Sequence, residues 1–406
     1  MKNKLLVTGC WLLVTGFAIF SYSQVDLNLT LSKTPLYLAF QKQMTSLGYY
    51  NRPLSTIIFI VLSMLLAACC LLLAANTYLK RLRLKSLKWP LLVIALILLI
   101  GYPLFSHDIF NYIFNAKMVW LYKQNPHKQV AAYFVHDVWL RFMHNVHTPA
   151  PYAYGWTMLS LIPGILTLTQ SLKLSLWGMK AFIALFWAGQ LWILSKIIKE
   201  NFPNSIHNCP AQKGNWRWFL FTLNPLVLIE TLVVGHNDVV MMFLALTSYY
   251  FLLKTKRLFD KNLLFSLLFL GLSVSIKYAT IVLLPLWLIR LSIKTPGVDK
   301  KTPGVNLLDI PSLAAILLFA IIFTRPDQLH SWYLIWAFSF AVLSKSKWII
   351  SLFTALTIGA LLRYTPYLYF GHWDPPVYML RNIIWVLSAL LTFPILSVVK
   401  KIPRGA

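Results

Sequence analysis

Acidic side chains are what this sequence has least of. Asp and Glu number 11 in 406 residues, against 37 Lys and Arg. Charged residues of both signs reach only 12%, while hydrophobic residues make up 58%. That balance excludes an ordinary water-soluble domain, which cannot hide so much apolar surface. Polar stretches are scarce too, and the longest runs from Ser106 to about Pro151. No soluble module is attached, so residues 1–406 are read as one membrane-embedded domain. Cysteine is also sparse: Cys10, Cys69 and Cys70 lie in apolar runs, and Cys209 falls in an expected cytoplasmic loop. This excludes a disulfide framework and offers no zinc-like Cys/His spacing. The formal net charge is +26. Nucleic-acid binding is not the reading, because no basic soluble module exists to carry it. Lys and Arg crowd the loops on one side of a membrane, as the positive-inside rule requires, and some also suit anionic lipid head groups.

Long apolar runs are what the chain does have. They cover about 5–22, 54–78, 90–105, 153–169, 174–195, 217–234, 238–253, 263–276, 278–293, 310–324, 332–344, 348–362 and 377–399. An all-α polytopic membrane fold follows. The first run, after Lys2 and Lys4, is read as an uncleaved helix rather than a signal peptide. Basic loops at 80–88, 254–261, 294–305 and 344–347, with both termini, read as cytoplasmic. An even number of crossings is then required. The run 153–169, broken by Pro163-Gly164, is expected to be re-entrant, leaving about 12 transmembrane helices (range 11–13). On that topology Asp26, Asp108, Asp137, Asp238, Asp327 and Asp374 face outward, as do all the histidines but His207. The expected site is the outer loop at about 106–152 and its neighbours. The KTPGV repeat at 294–298 and 301–305 reads as a Pro/Gly-rich cytoplasmic loop.

Four stretches carry candidate chemistry. In SHDIFNYIFNAKMVW, Asp108 stands at the mouth of an apolar run. Asn111, Tyr112 and Asn115 follow at helical spacing and share its face if the segment is a helix lying on the membrane. The plainer alternative is that Asp108 caps that helix. In NPLVLIETLVVGHNDVVMMFLAL, Glu230 sits within a span, where a carboxylate is costly and a functional candidate. His236, Asn237 and Asp238 follow, with Asn237 or Asp238 as the expected cap of the next helix. Glu230 paired with a neighbouring helix is the alternative. In SIKYATIVLLP, Lys277 either snorkels to lipid phosphates or neutralises a phosphate leaving group. In RPDQLHSWYLIWAF, Arg325 and His330 suit a phosphate. Tyr333 and Trp332 are equally expected in an interfacial aromatic belt. RYTPYLYFGHWDPP (363–376) reads as a further outer loop, a lid or interfacial segment.

The order of these blocks, SHDIFNYIFNAKMVWLYKQNPH, TPAPYAYGW, NPLVLIETLVVGHNDVVMMFLAL, IKYATIVLLP and LHSWYLIW, resembles the polyprenyl-phosphate-mannose-dependent mannosyltransferases of the GT-C superfamily across roughly 100–340. Two positions depart: relatives often read Tyr-Gly-Pro where this chain has PYAYGW, and His-Pro-Trp-Tyr where it has LHSWY. The resemblance implies a bacterial multi-pass enzyme of the plasma membrane with its active site facing outward. Asp108 matches the acidic residue of the first large outer loop. The donor would be a sugar, mannose first, on polyprenyl phosphate. The acceptor would be a glycan, glycolipid or protein, and neither a metal nor a cofactor is implied. The residues fit an inverting transfer with Asp108 as base and Asp238 as the alternative base. Asn111, Tyr112, Tyr152, Glu230, His236, Asn237, Lys277, Arg325, His330 and Tyr333 are the candidate substrate contacts. A transporter or flippase of a lipid-linked sugar is the rival reading. It asks for polar groups at the bilayer midplane and access from both sides, whereas only Glu230 is clearly within a span.

Overall fold

A computed structural model describes residues 2–78, 88–202, 215–257, 260–294, 309–324 and 329–400. The described residues form helices and turns without a strand. Five helices are long and apolar enough to cross a membrane: Leu6–Gln24, Arg52–Asn76, Leu172–Asn201, Lys347–Phe370 and Val377–Lys400. A sixth span results if Trp216–Thr222 and Pro225–Val234, bent by 48°, count as one. Further apolar helices are shorter: Trp89–Ile100, Lys261–Ile276, Tyr278–Ser292 and Ile310–Ile322. At ~1.5 Å per residue, none of these alone matches a hydrocarbon core of ~30 Å. The repeat at 294–305 and the basic loop at 80–88 lie almost wholly outside the described residues.

The helix Asp238–Lys254 is the hub. It is apolar on all sides, and its buried residues run from Asp238 to Leu252 around the whole circumference. A helix of that kind belongs inside a bundle. It packs against Lys261–Ile276, Leu172–Asn201 and Leu334–Ala341. Its two ends differ chemically. Asp238 opens it within a buried polar cluster, whereas Lys254 closes it beside Glu200, 3.4 Å away on the half-exposed surface.

The stretch after Ser106 does not lie on the membrane as an amphipathic helix. Asp108–Trp120 is a helix, but every residue from Ile109 to Met118 is buried. The cause is the segment that follows, which folds back over it. Lys117 Nζ meets Asp137 Oδ2 at 2.6 Å, with both side chains almost fully buried. Tyr122 donates to the same carboxylate at 2.8 Å, and the Trp139 amide donates to its other oxygen at 2.9 Å. The Lys117 ammonium also stands 3.7 Å above the Trp139 ring, a favourable cation–π geometry. One buried ion pair therefore ties residues 121–152 to the helix that begins at Asp108.

Pro163-Gly164 does not interrupt the run 153–169: the backbone stays right-handed helical through both and changes only in type. Tyr154–Gly164 is helical, Ile165–Thr169 tightens to a 3-10 turn, and Gln170 turns left-handed before the next helix. Ser171 caps that helix by accepting from the Leu174 amide. The short segment packs on the Asp108 helix, and Trp120 donates to the Leu161 carbonyl at 2.9 Å.

Candidate active site

Local sequence brings Glu230 and His236 onto one side. Pro225 starts a helix whose amides at Leu226 and Val227 are capped by Asn224 Oδ1. From Ile229 to Val234 the helix widens into a π-turn, and the Gly235 amide reaches back to the Glu230 carbonyl at 3.1 Å. Such widened turns recur at functional sites because they redirect side chains. Gly235 then takes φ +86°, and a Cβ there would stand 2.7 Å from Ile109 Cδ1. The positive φ is what favours glycine here, because the tip of Ile109 could shift to admit a Cβ.

The turn delivers His236 between two carboxylates. Its Nε2 is 3.3 Å from Glu230 Oε2, and its Nδ1 is 3.6 Å from Asp108 Oδ2. Glu230 Oε1 accepts from the Tyr364 hydroxyl at 2.9 Å. The result is a row, Tyr364–Glu230–His236–Asp108, contributed by three distant parts of the chain. The His236 ring stacks on Trp332 at 3.9 Å, and Trp332 stacks on His330 at 4.3 Å. Asp108 alone in the row opens outward: its side chain is 22% exposed, against 1% for His236 and for Glu230.

Electrostatics follow from that placement. Burial drives the His236 imidazolium toward neutrality, but Asp108 and Glu230 outweigh it and lift its pKa to about 9. Burial pushes the Asp108 carboxyl up, yet contact with His236 and the charges of Lys277 and His330 hold it at about 2. His330 is driven down to about 4, first by burial, with Asp108 opposing and the charges of His236, Lys277 and Arg363 assisting. At neutral pH the site thus holds an ionised Asp108, a charged His236 and a neutral His330. Burial, then the nearby Asp108 charge, raises the Tyr152 hydroxyl well above its usual range.

A second pair adjoins the first. Lys277 Nζ contacts both oxygens of Asp238, at 2.9 and 2.8 Å, and Trp336 Nε1 donates to Asp238 Oδ1 at 2.5 Å. The side chains of Asp238 and Asn237 do not cap the helix that they begin. The carboxylate is instead consumed by Lys277, which reaches it because the backbone is extended there, between helix Lys261–Ile276 and the turn Tyr278–Leu283. Lys277 does not snorkel to lipid. Its ammonium stands 5.5 Å above the Tyr333 ring and 5.9 Å above Trp336.

The remaining candidates divide clearly. Tyr112 accepts from the Asn237 amide at 3.4 Å. Its ring meets Tyr152 and Trp156 edge-on, each at 4.9 Å. Asn111 lies on the same helix, and its side-chain amide is buried without a protein partner, as is that of Asn237. Tyr333 packs against Trp336 and His330. Arg325 and Asp327 lie outside the described residues. Asp108 caps nothing with its side chain. Trp332 belongs to the site rather than to an interfacial belt, being buried between two imidazoles. Sequence reasoning missed Tyr364, Trp336 and Trp156. Trp336 follows Tyr333 at helical spacing, a signal that was available. Tyr364 offered none, because its partner Glu230 lies 134 residues away.

The buried polar atoms without a hydrogen-bond partner include the side-chain amides of Asn111 and Asn237, Thr231 Oγ1 and Trp332 Nε1. Buried donors and acceptors are ordinarily satisfied. A group of them around one partly open carboxylate suits a ligand rich in hydroxyls.

Residues 7–292 match the family profile of the alpha-(1->6)-mannopyranosyltransferase N-terminal domain (MptA_B family). The chain belongs to that family. It is a mannosyltransferase, a glycosyltransferase embedded in the membrane by several apolar helices. No curated protein and no solved structure matches it. The matched region of the mannosyltransferase holds Asp108, Glu230, His236, Asp238 and Lys277. It ends before His330, Trp332, Trp336 and Tyr364, which the fold brings back to the same cluster.

Proposed function

We propose that the mannosyltransferase takes mannose from a polyprenyl-phosphate donor at the outer face of a bacterial plasma membrane and passes it, with inversion, to an acceptor hydroxyl. The family name specifies an alpha-(1->6) linkage. Inversion to an α product calls for a β-linked donor and a primary hydroxyl as nucleophile. The acceptor is a glycan, glycolipid or protein. As the hydroxyl oxygen bonds to the anomeric carbon, its proton passes to Asp108 and the carbon–phosphate oxygen bond breaks. Phosphate leaves with the electron pair. Positioned base assistance of this kind contributes roughly 100- to 10,000-fold.

The observation that carries the choice of base is exposure with ionisation. Asp108 is charged and partly open, while Asp238 is closed and held by Lys277 and Trp336. A carboxylate held at about 2 is a weak base, so it receives the proton late, once the forming bond has acidified the hydroxyl. His330, with Arg325, would meet charge growing on the phosphate, since the Lys277 charge is already met by Asp238. Asn111, Tyr112, Tyr152, Asn237 and Tyr333 would contact sugar hydroxyls, while Glu230 and His236 orient Asp108. For the chain to cross about 12 times, the shorter apolar helices must span as well, with the segment 153–169 re-entrant.

The test is transfer of labelled mannose from polyprenyl-phosphate-mannose by purified protein in lipid. Transfer by the wild type, with a loss of at least ~100-fold in a folded Asp108→Asn, is expected. Equal rates in both would move the base to Asp238. Donor movement across the bilayer without transfer would replace the enzyme reading by the transporter one.

A further inference from the structure

Among the described residues, three other than glycine take positive φ: Phe105 at +67°, Lys123 at +55° and Gln170 at +54°. Lys123 and Gln170 are exposed polar side chains just past a helix end, where a left-handed residue is common. Phe105 is apolar, half-buried and outside any helix. The Ser106 amide donates to the Leu104 carbonyl at 2.9 Å, which closes a three-residue turn on Phe105. With positive φ this is the rare and strained hand of that turn, and a bulky side chain makes it costlier. Strain of this kind persists where the surroundings over-determine it, and it gathers at functional sites.

Two aromatic contacts hold the Phe105 ring. It stacks on Tyr364, with centroids 4.3 Å apart and 13° between the planes. It also meets Phe59 edge-on at 5.3 Å, and Phe59 is locked in a buried cluster with Phe17 and Phe20. The ring therefore braces Tyr364 against a rigid wall. Tyr364 donates to Glu230 at one end of the row. Asp108, the other end, follows Phe105 by three residues, and its amide donates to Ser106 Oγ at 3.3 Å. The path is closed: Phe105, Tyr364, Glu230, His236, Asp108, and back to Phe105 along the backbone. Relaxing the turn to negative φ would redirect the chain between Phe105 and Asp108. The ring could not then stay on Tyr364 while the carboxylate stayed at His236.

We propose that Phe105 is a positioning residue for the transfer: its strained turn and its ring clamp both ends of the row and so hold Asp108 where the acceptor hydroxyl meets it. A reacting group displaced by ~1 Å can cost about 100-fold in rate, which is what such a clamp guards against. The role rests on Asp108 as the base. The clamp itself is a property of the row and can be read without sugar transfer.

The experiment compares full-length wild type with Phe105→Gly, Phe105→Leu and Phe105→Tyr. Glycine accepts the positive φ but removes the ring, leucine keeps the bulk without the stack, and tyrosine keeps the ring. In Phe105→Gly and Phe105→Leu, kcat per folded molecule should fall by about 10- to 100-fold with KM little changed. Phe105→Tyr should retain most of the rate. A ring that merely filled space would leave the protonation of His236 alone. Loss of a clamp lets Glu230 and Asp108 draw away from His236, whose neighbour across Trp332 is the neutral His330. The alkaline decline of thermal stability that His236 causes should then move to lower pH by about one unit in Phe105→Gly, and stay in place in Phe105→Tyr. An unmoved decline in a folded Phe105→Gly, or in Phe105→Leu if the glycine variant does not fold, overturns the proposal. Full transfer by Asp108→Asn would overturn the choice of base instead, and the pH shift would still decide the clamp.

Discussion

His236 is the residue on which the cluster turns. It is an imidazolium because Asp108 and Glu230 flank it, and its contact helps to hold Asp108 ionised. The pH dependence follows from the signs. Its folded pKa, about 9, exceeds the ordinary 6.5. The stability it contributes is complete below 6.5 and is lost as pH rises through 9. Asp108 runs the other way, with a folded value of about 2 against 3.8. Its contribution is complete above 3.8 and is lost as pH falls toward 2. Thermal unfolding in detergent against pH should therefore show greatest cluster stability between 3.8 and 6.5, with an alkaline decline that runs from 6.5 to about 9. In His236→Gln that alkaline decline should vanish. The same substitution removes the Nε2 partner of the buried Glu230 carboxyl and should lower stability by about 1–3 kcal/mol. These carboxylates and the histidine were legible in the sequence, because polar groups interrupting apolar runs announce themselves. Which of them touch was not. Tyr364 completes the row from an apparent surface loop, and only folding places its hydroxyl on Glu230.

Two contacts between elements make sharper demands. Gly155 begins the helix that lies against Lys261–Ile276, and a Cβ there would stand 2.6 Å from the Ser275 carbonyl oxygen. Backbone cannot yield as a flexible side chain does. Gly155→Ala should push the two helices apart, costing about 1–3 kcal/mol. Tyr152 and Lys277 sit at either side of that contact, so transfer should fall more steeply than stability, as kcat and melting temperature measured together will show. The Lys117–Asp137 pair is the second. Asp137→Asn leaves a buried ammonium uncompensated and should destabilise by about 3–5 kcal/mol in chemical unfolding. The double change Lys117→Met, Asp137→Leu should recover most of that loss, since replacing both partners removes the stranded charge. The helix Asp108–Trp120 reads from sequence as amphipathic, with Asn111 and Asn115 on one face. The sequence suggested a membrane surface for that face. The structure covers it with the chain's own loop, held by this pair of residues 20 positions apart.

For the whole molecule, the polarity of the hub helix is the main result. Asp238 and Lys254 mark opposite ends, separated by ~25 Å at ~1.5 Å per residue. If the site faces outward, cysteine placed at exposed Val135 will react with an impermeant maleimide added to intact cells, and cysteine placed at exposed Lys256 will react only after lysis. Cys10, Cys69 and Cys70 are buried, and Cys209→Ser provides a clean background. Labelling of both positions from one side would refute the orientation.

The sequence by itself determined that this is an all-helical membrane protein, that polar residues break its apolar runs at a few places, and that the blocks carrying them occur in the order of a mannosyltransferase. Those properties are local: hydrophobic length and residue type are written along the chain. Tertiary structure alone decided that His236 stands between Asp108 and Glu230 and that Asp238 is committed to Lys277. Each depends on distances between helices far apart in sequence, and those distances are set by packing, which no single segment encodes.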